Sequence, residues 1–326
     1  MKPLAFLIPL VLVLCVASLA VGPADISLAD SLRALVLGGE GPVPLVMREI
    51  RLPRMVLAVM VGGSLGLAGA AMQGYLRNPL AEPGLIGVSG SAALGAVLAL
   101  QTGLAAAFAL ALPLAALAGA MVAVGLLLVL AGPRGGSITL ILAGIAISTM
   151  AGALTSLVLN LSPNPFAANE IVFWMMGSLA DRSMLHVWLA LPLTVIGWAL
   201  LLPLGRGLDA LTLGEDAAQS MGIDLARLRL MLVAGTACVV GGGTAVAGTI
   251  GFVGLVVPHL LRPLVGARPS ALLWTSAFGG AAMLLAADIA VRMILPDRDL
   301  KLGVLTALLG APLFLHLIYK TRREMA

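Results

Sequence analysis

Long runs without a charged side chain dominate this chain, and short polar stretches separate them. Residues 83–133, 183–205 and 230–261 contain no Lys, Arg, Asp or Glu. A helix that crosses a bilayer needs about 20 apolar residues. The pattern therefore predicts spans at 4–22, 55–76, 135–160, 183–205, 271–292 and 302–319. The run 83–133 is too long for one helix and predicts two, with the turn at Gly103 or Pro113. The run 230–261 predicts a full span near 228–247 and a shorter helix near 252–264, reversing at Gly248 and Gly251. The reading is an all-α polytopic membrane protein of about ten transmembrane helices, with residues 1–326 as a single transmembrane domain.

The polar interruption TLGEDAAQSMGIDLARLR, residues 212–229, has helix grammar of its own. Glu215 and Asp216 suit the first turn of a short helix, where the dipole favours acids. Gly222 suits its end, and Asp224 suits the cap of the next helix, with Arg227 and Arg229 at its start. A second irregular stretch runs from Arg77 to Gly84, where Pro79 disfavours a helical Asn78. There is also an echo of V-G-G-x-x-x-x-A-G between 61–69 and 240–248. Inverted repeats of this kind occur in transporters.

Composition decides where these helices live. Only 10% of the residues are charged and 60% are hydrophobic, against roughly 25% charged in soluble chains. The surface must face lipid, and 39 glycines suit closely packed membrane helices. The net charge of +4 has no basic patch with interleaved aromatics, so nucleic acid is not a partner. Cys15 and Cys238 lie in apolar runs and read as buried thiols. Lys2 and the run after it resemble a signal peptide, but the run is long and many follow, so it reads as an uncleaved first span.

An even span count places both termini on one side, and Lys and Arg in short loops orient the chain. With the ends cytoplasmic, the inside holds Lys2, Arg77, Arg134, Arg206, Arg227, Arg229, Arg262, Arg268, Lys320, Arg322 and Arg323. The outside holds Arg33, Arg48, Arg51, Arg54, Arg182, Arg292, Arg298 and Lys301, a bias of eleven against eight. The run REIRLPR, residues 48–54, opposes the bias and asks for a cause.

Candidate chemistry is sparse. A P-loop needs a lysine after glycine, and Lys2, Lys301 and Lys320 do not supply it, so the chain hydrolyses no ATP by itself. Gly87-Val88-Ser89-Gly90 fits the G-x-S-G of rhomboid intramembrane proteases, with His186, His259 and His316 as nominal partners, and it equally suits plain packing. Asp288 and Arg292 fall on one helix face and pair. No chain of carboxylates crosses the membrane, which speaks against an ion-coupled secondary transporter.

Longer motifs say more. RLPR (51–54), GGSLGLAGAAMQ (62–73), NPLAEPGLIGVSGSA (78–92), GEDAAQSMGI (214–223), GTIGFVGLVVPHLLRPLVG (248–266) and LGVLTALLGAP (302–312) resemble, in order, the FecCD-type membrane subunits of binding-protein-dependent ABC importers of iron chelates, haem and cobalamin. The resemblance implies the type II ABC importer permease fold and a homodimer in the bacterial inner membrane. It also implies two ATP-binding subunits that hold ATP and Mg, and a periplasmic binding protein, with no cofactor on this chain. It places ATPase coupling in about 206–229, at Glu215, Asp216, Ala217, Ala218, Met221 and Gly222. Binding-protein docking falls on Arg51, Arg54 and Arg292, which would explain the basic outer run. The cytoplasmic gate falls on Asn78, Leu80, Gly136 and Ser137. The pathway is lined by the fifth and tenth spans, including Ser148, Thr149, Thr155, Ser156 and Thr306.

Overall fold

The computed structural model describes residues 2–22, 26–108, 110–132, 136–162, 165–294 and 300–325. In chain order the helices are α1 (Lys2–Ala20), α2 (Leu28–Val36), α3 (Pro42–Val46), α4 (Leu52–Leu76), α5 (Val88–Gln101), α6 (Leu104–Ala107), α7 (Ala111–Ala131) and α8 (Ser137–Asn160). They continue as α9 (Pro165–Met175), α10 (Met184–Leu201), α11 (Gly205–Leu211), α12 (Glu215–Ser220), α13 (Leu225–Ala247), α14 (Val253–Leu261), α15 (Pro269–Ile294) and α16 (Leu302–Met325). Seven are long and apolar enough to cross a membrane, and shorter apolar helices follow the same pattern at 88–101, 253–265 and 302–315. The ten expected apolar helices are all present. Arg134 and Arg298 lie outside the described residues, as does the side chain of His316.

Most helix ends fall where the sequence placed them. The turn after α5 uses Gly103 in the left-handed region (φ 73°), and Pro113 sits in the first turn of α7. The reversal after α13 runs from Gly248 (φ 72°) through Phe252 (φ 67°). Asp224 caps α13 by accepting the Arg227 N–H at 3.0 Å. Three surface pieces were not expected: α2, capped by Ser27, the α3 segment that passes through a π-turn (Met47–Arg51) into α4, and α9. They sit in stretches of mixed polarity too short to register as spans.

The centre of the bundle is α4. Sixteen of its residues are buried, from Pro53 to Gly74. Its glycines let backbones touch: a Cβ on Gly62 or Gly66 would collide with the carbonyl oxygens of Gly280 and Ser276 on α15, and one on Gly69 would collide with Gly254 on α14. With no hydrophobic drive between helices in lipid, such close packing holds membrane helices together. The two halves of the V-G-G echo lie side by side, Val61 against Gly243. By contrast, α8 and α16 leave wide faces exposed, with Ile138, Leu142, Met150, Leu157, Leu308 and Leu315 among the uncovered side chains.

Between α4 and α5 the chain re-enters the bundle. Arg77 (φ 50°) ends α4, and Asn78 Oδ1 accepts the Leu80 N–H at 2.9 Å in a tight turn. Ala81 then returns beside Gln73, and Pro83 packs on Gly254 opposite Gly69. Gly69 is seven residues from the end of α4, so Pro83 lies about 10 Å inside that end at 1.5 Å per residue. Leu85 rests on Gly144, which is seven residues into α8 and gives about the same depth. α5 is therefore only 14 residues long because irregular chain covers the rest of the crossing.

The glycine contacts set a test. Gly66→Ala is expected to destabilise the detergent-purified protein by about 1–3 kcal/mol from overpacking against Ser276. Gly125→Ala, where no atom lies within 4 Å, is expected to be neutral or to gain up to about 1 kcal/mol from helix propensity. Thermal unfolding of the two variants checks this, and equal behaviour would refute the packing argument.

Candidate functional site: an arginine knot, a short polar helix and an apolar groove

At one end of the bundle, α1, α4 and α15 converge on a single carboxylate. Asp288 is fully buried. Arg54 Nε donates to both its oxygens, at 2.9 and 3.1 Å, and Arg292 Nη2 pairs with Oδ2 at 2.9 Å. The pairing of Asp288 with Arg292 was legible from their spacing. The entry of Arg54 from 234 residues away was not. The remaining donors go to the end of α1. Arg51 Nη1 donates to the carbonyls of Leu19 (2.7 Å) and Ala20 (3.0 Å). Arg292 Nη1 donates to those of Ser18 (2.9 Å) and Val21 (2.7 Å), and its Nη2 to Ser18 Oγ (2.7 Å). The last carbonyls of a helix have no partner within it, and cations there are favoured by the dipole. Two guanidiniums thus cap α1. Arg182 does the same for α13, donating to the Val246 carbonyl at 2.5 Å.

The structure therefore supplies a structural cause for much of the basic outer run. Arg51 is only 3% exposed, and the three arginines expected at a docking surface are committed to carbonyls and to Asp288. Three positive charges against one negative still leave the knot net positive. Within REIRLPR, the arginine that remains exposed is Arg48.

The opposite end carries the polar interruption. α11 is tied to the start of α15: Asp209 accepts from Ser270 N (2.8 Å), Ser270 Oγ (2.7 Å) and Arg268 Nε (2.9 Å). α12 hangs below by Ala218, which is completely buried. Glu215, Asp216, Gln219 and Met221 face outward, and Ala217 is half-buried. The helix closes as expected at Gly222 (φ 82°), with Gly222 N–H to Gln219 at 2.8 Å and Ile223 N–H to Ala218 at 3.0 Å.

A cleft of about 440 Å³, lined by Glu215, Gln219 and Arg229, reaches one expected gate residue, Gly136, and Tyr75 near the end of α4. Arg229 also reaches the Gly132 carbonyl at 3.4 Å. Gly136 and Asn78 are exposed, and Ser137 and Leu80 are half-buried.

The five hydroxyls expected along the pathway divide. Thr149 and Ser156 lie on the exposed face of α8, and Ser148 is half-buried. Thr155 and Thr306 are buried within the bundle, Thr306 Oγ1 donating to the Gly303 carbonyl at 3.1 Å. Thr149 and Ser156 likewise donate to carbonyls four residues back, at 2.8 and 2.9 Å. These hydroxyls offer little to trap a ligand, because their protons are already used. An open apolar groove of about 690 Å³ runs along α16, walled by Met176, Thr249, Phe252, Gly303, Ala307 and Leu308 among others.

One residue escaped the sequence reading. Glu82 reads as a turn residue, yet the re-entrant loop carries it to membrane depth, where it accepts the Phe252 N–H at 2.9 Å. Ser89 of the G-x-S-G tetrapeptide lines a small cavity beside it, whose wall contains no histidine. His186 pairs instead with Ser183 at 3.2 Å.

Helices broken at membrane depth, a glycine-packed centre and wide uncovered faces define a multi-pass helical membrane protein. The chain belongs to the FecCD transport family, which matches residues 10–320. It is 40% identical over 277 residues to the cobalamin import system permease protein BtuC of Halobacterium salinarum, covering 84% of this chain and 73% of that one. It is 38% identical over 277 residues to the Fe(3+) dicitrate transport system permease protein FecD of Escherichia coli, covering 85% and 86%. A solved inward-facing structure of a metal-chelate type ABC transporter superposes with a TM-score of 0.86 at 33% identity, over 98% of this chain and 99% of that one. The expected class, a membrane permease of the ABC importer kind, is thereby shown, and the protease and secondary-carrier alternatives find no support.

The knot yields a stability prediction. Asp288→Ala leaves two inward-facing guanidiniums without their counter-charge and is expected to cost about 3–5 kcal/mol. Asp288→Asn keeps an acceptor and is expected to cost less. Thermal unfolding orders the two, and an unperturbed Asp288→Ala would show that the knot does not hold α1, α4 and α15 together.

Proposed function

We propose that this chain is the permease subunit of an ATP-driven importer of a metal chelate: a ferric siderophore, haem or cobalamin. The observation that carries it is the near-complete superposition on a metal-chelate type transporter together with identities of 38–40% to permeases named for cobalamin and ferric dicitrate. The chain works as a homodimer in the bacterial inner membrane, with both termini cytoplasmic and residues 1–326 acting as one transmembrane domain. It catalyses no reaction and binds no cofactor. ATP and Mg sit on two partner subunits.

The outward face of α12 supports a lever reading. Its acidic first turn and the exposed Met221 form the surface that seats in a groove of the ATPase, while Ala218 and the Asp209 cluster fix it to the bundle. ATP binding draws the two ATPases together, the levers follow, and the gate at Asn78, Leu80, Gly136 and Ser137 changes state. Met221→Asp combined with Ala217→Asp is expected to reduce co-purified ATPase severalfold with little change in thermal stability. Intact ATPase association would overturn the lever.

At the other end the net positive knot, with the exposed Arg48, steers an acidic binding protein by its field. Arg51, Arg54 and Arg292 contribute their charge from within the bundle. Reversing them would also uncap α1, so Arg48→Glu is the cleaner test. It is expected to weaken binding-protein affinity in a salt-dependent way, and unchanged affinity at low salt would remove Arg48 from the docking surface.

A further inference from the structure

Two irregular segments meet inside the bundle. One is the re-entrant loop 77–87, and the other is the reversal 248–252. The N–H groups at the start of α14 have no partner within that helix, and at membrane depth no bulk water replaces one. Phe252 caps α14 in the left-handed region, and its own side chain makes no capping bond. Glu82 supplies the acceptor from across the gap, at 2.9 Å. A carboxylate at a helix N-terminus is also favoured by the dipole.

A second bolt, from α4, joins the loop to α14. Gln73 is 1% exposed, and its Nε2 donates both to the Ala81 carbonyl at 3.3 Å and to the Leu255 carbonyl at 3.2 Å. Pro83 lies directly on Gly254. The loop is bounded by Arg77 and Gly87, both in the left-handed region, so it is connected to α4 and α5 by turns and held at its middle by α14.

The chain of contacts continues to the pathway. The Phe252 side chain is seated on Gly310 of α16, so closely that a Cβ there would collide with it. Phe252 and Thr249 also wall the groove along α16. Thr249 Oγ1 donates to the Met175 carbonyl, fixing the reversal to α9 from its other side. A small cavity of about 160 Å³, lined by Glu82, Ser89, Thr249 and Gly251 among others, leaves room beside the carboxylate.

We propose that Glu82 is a positioning residue that ties the loop carrying Asn78 and Leu80 to the pathway helix α16 through the Phe252 N–H. Resting on the gate reading given above, this assigns the gate loop a mechanical partner. When the loop moves, the start of α14 and the Phe252 wedge move with it, and the wall of the groove at Gly310 changes. Glu82 acts through its acceptor oxygen and needs no contact with cargo.

The test uses the permease with its ATPase in nanodiscs. A spin label sits at Asn78 in a background with Cys15→Ser and Cys238→Ser. Glu82→Ala is expected to give a mobile component in the Asn78 spectrum. It is also expected to raise basal ATP hydrolysis severalfold, with loss of binding-protein stimulation. Glu82→Gln keeps a carbonyl acceptor and is expected to resemble wild type in both readouts. An unchanged spectrum and stimulation ratio in Glu82→Ala overturns the proposal. So does Glu82→Gln behaving like Glu82→Ala, because the charge and not the acceptor would then matter. Should Glu82→Ala fail to fold, Gly310→Ala reports from the other end of the chain. Its methyl group displaces Phe252 and is expected to mobilise the Asn78 label, and an immobile label refutes the link. A wild-type chain that recruits no ATPase would sink the importer reading instead, with the Asn78 spectra still deciding the role of Glu82.

Discussion

A backbone N–H or C=O at membrane depth has no bulk water to turn to. Several helix ends in this bundle are answered by specific partners. The end of α1 is answered by Arg51 and Arg292. The end of α13 is answered by Arg182 and by the Ser178 N–H, which donates to the Ala247 carbonyl at 2.7 Å. The start of α14 is answered by Glu82, and the re-entrant loop by Gln73. Arg51, Arg182, Arg292, Gln73 and Glu82 are thus explained by broken helices before any cargo is invoked. They also fix where breaks are tolerated, because a break without its partner costs several kcal/mol per group.

The second requirement is contact between backbones. Gly62, Gly66 and Gly69 bring α4 against α15 and α14, and Gly95 and Gly119 do the same for α5 and α7. Close contact makes that half of the bundle dense. α8 and α16 sit at its edge with much of their apolar surface uncovered. The division suits the proposed importer, which is stiff around α4 and leaves two helices for the second copy and the cargo of that proposal. The hydroxyls on α8 fit the same reading, since back-bonding to their own helix leaves them weakly sticky.

Much of this was legible in the sequence. Hydropathy gave the ten helices because each apolar run reports its own burial. Gly103, Gly248 and Gly222 marked turns because only glycine takes a positive φ cheaply. Asp224 marked a cap for an equally local reason. What stayed hidden depends on partners far along the chain. Arg54 meets Asp288 across 234 residues and Glu82 meets Phe252 across 170, and no window of sequence holds both. For the same reason the docking role of the outer arginines came from the resemblance, and what they hold within the fold did not. Their spacing is visible in the sequence, and the carbonyls of α1 that occupy them are not. Thr155 and Thr306 were placed on the pathway by the resemblance, and no window of sequence says that the bundle covers them.

The two ends of the molecule are joined by one helix. α15 begins at the Asp209 cluster, which anchors α11 and through it α12. It ends beside Asp288 and Arg292 in the arginine knot. Its 26 residues span about 39 Å, and Gly62 and Gly66 of α4 with its own Gly280 let the two helices touch. A rod capped at both ends and packed along its side transmits displacement poorly by bending and well by moving whole. In the proposed importer, a push on α12 therefore reaches the outer knot as a rigid-body shift of α4 and α15 together. The gate loop leaves that rod at Arg77 and is held at its middle by α14, so it answers to both the rod and the reversal. In that proposal one movement at the coupling helix resets the gate and the docking end in the same stroke.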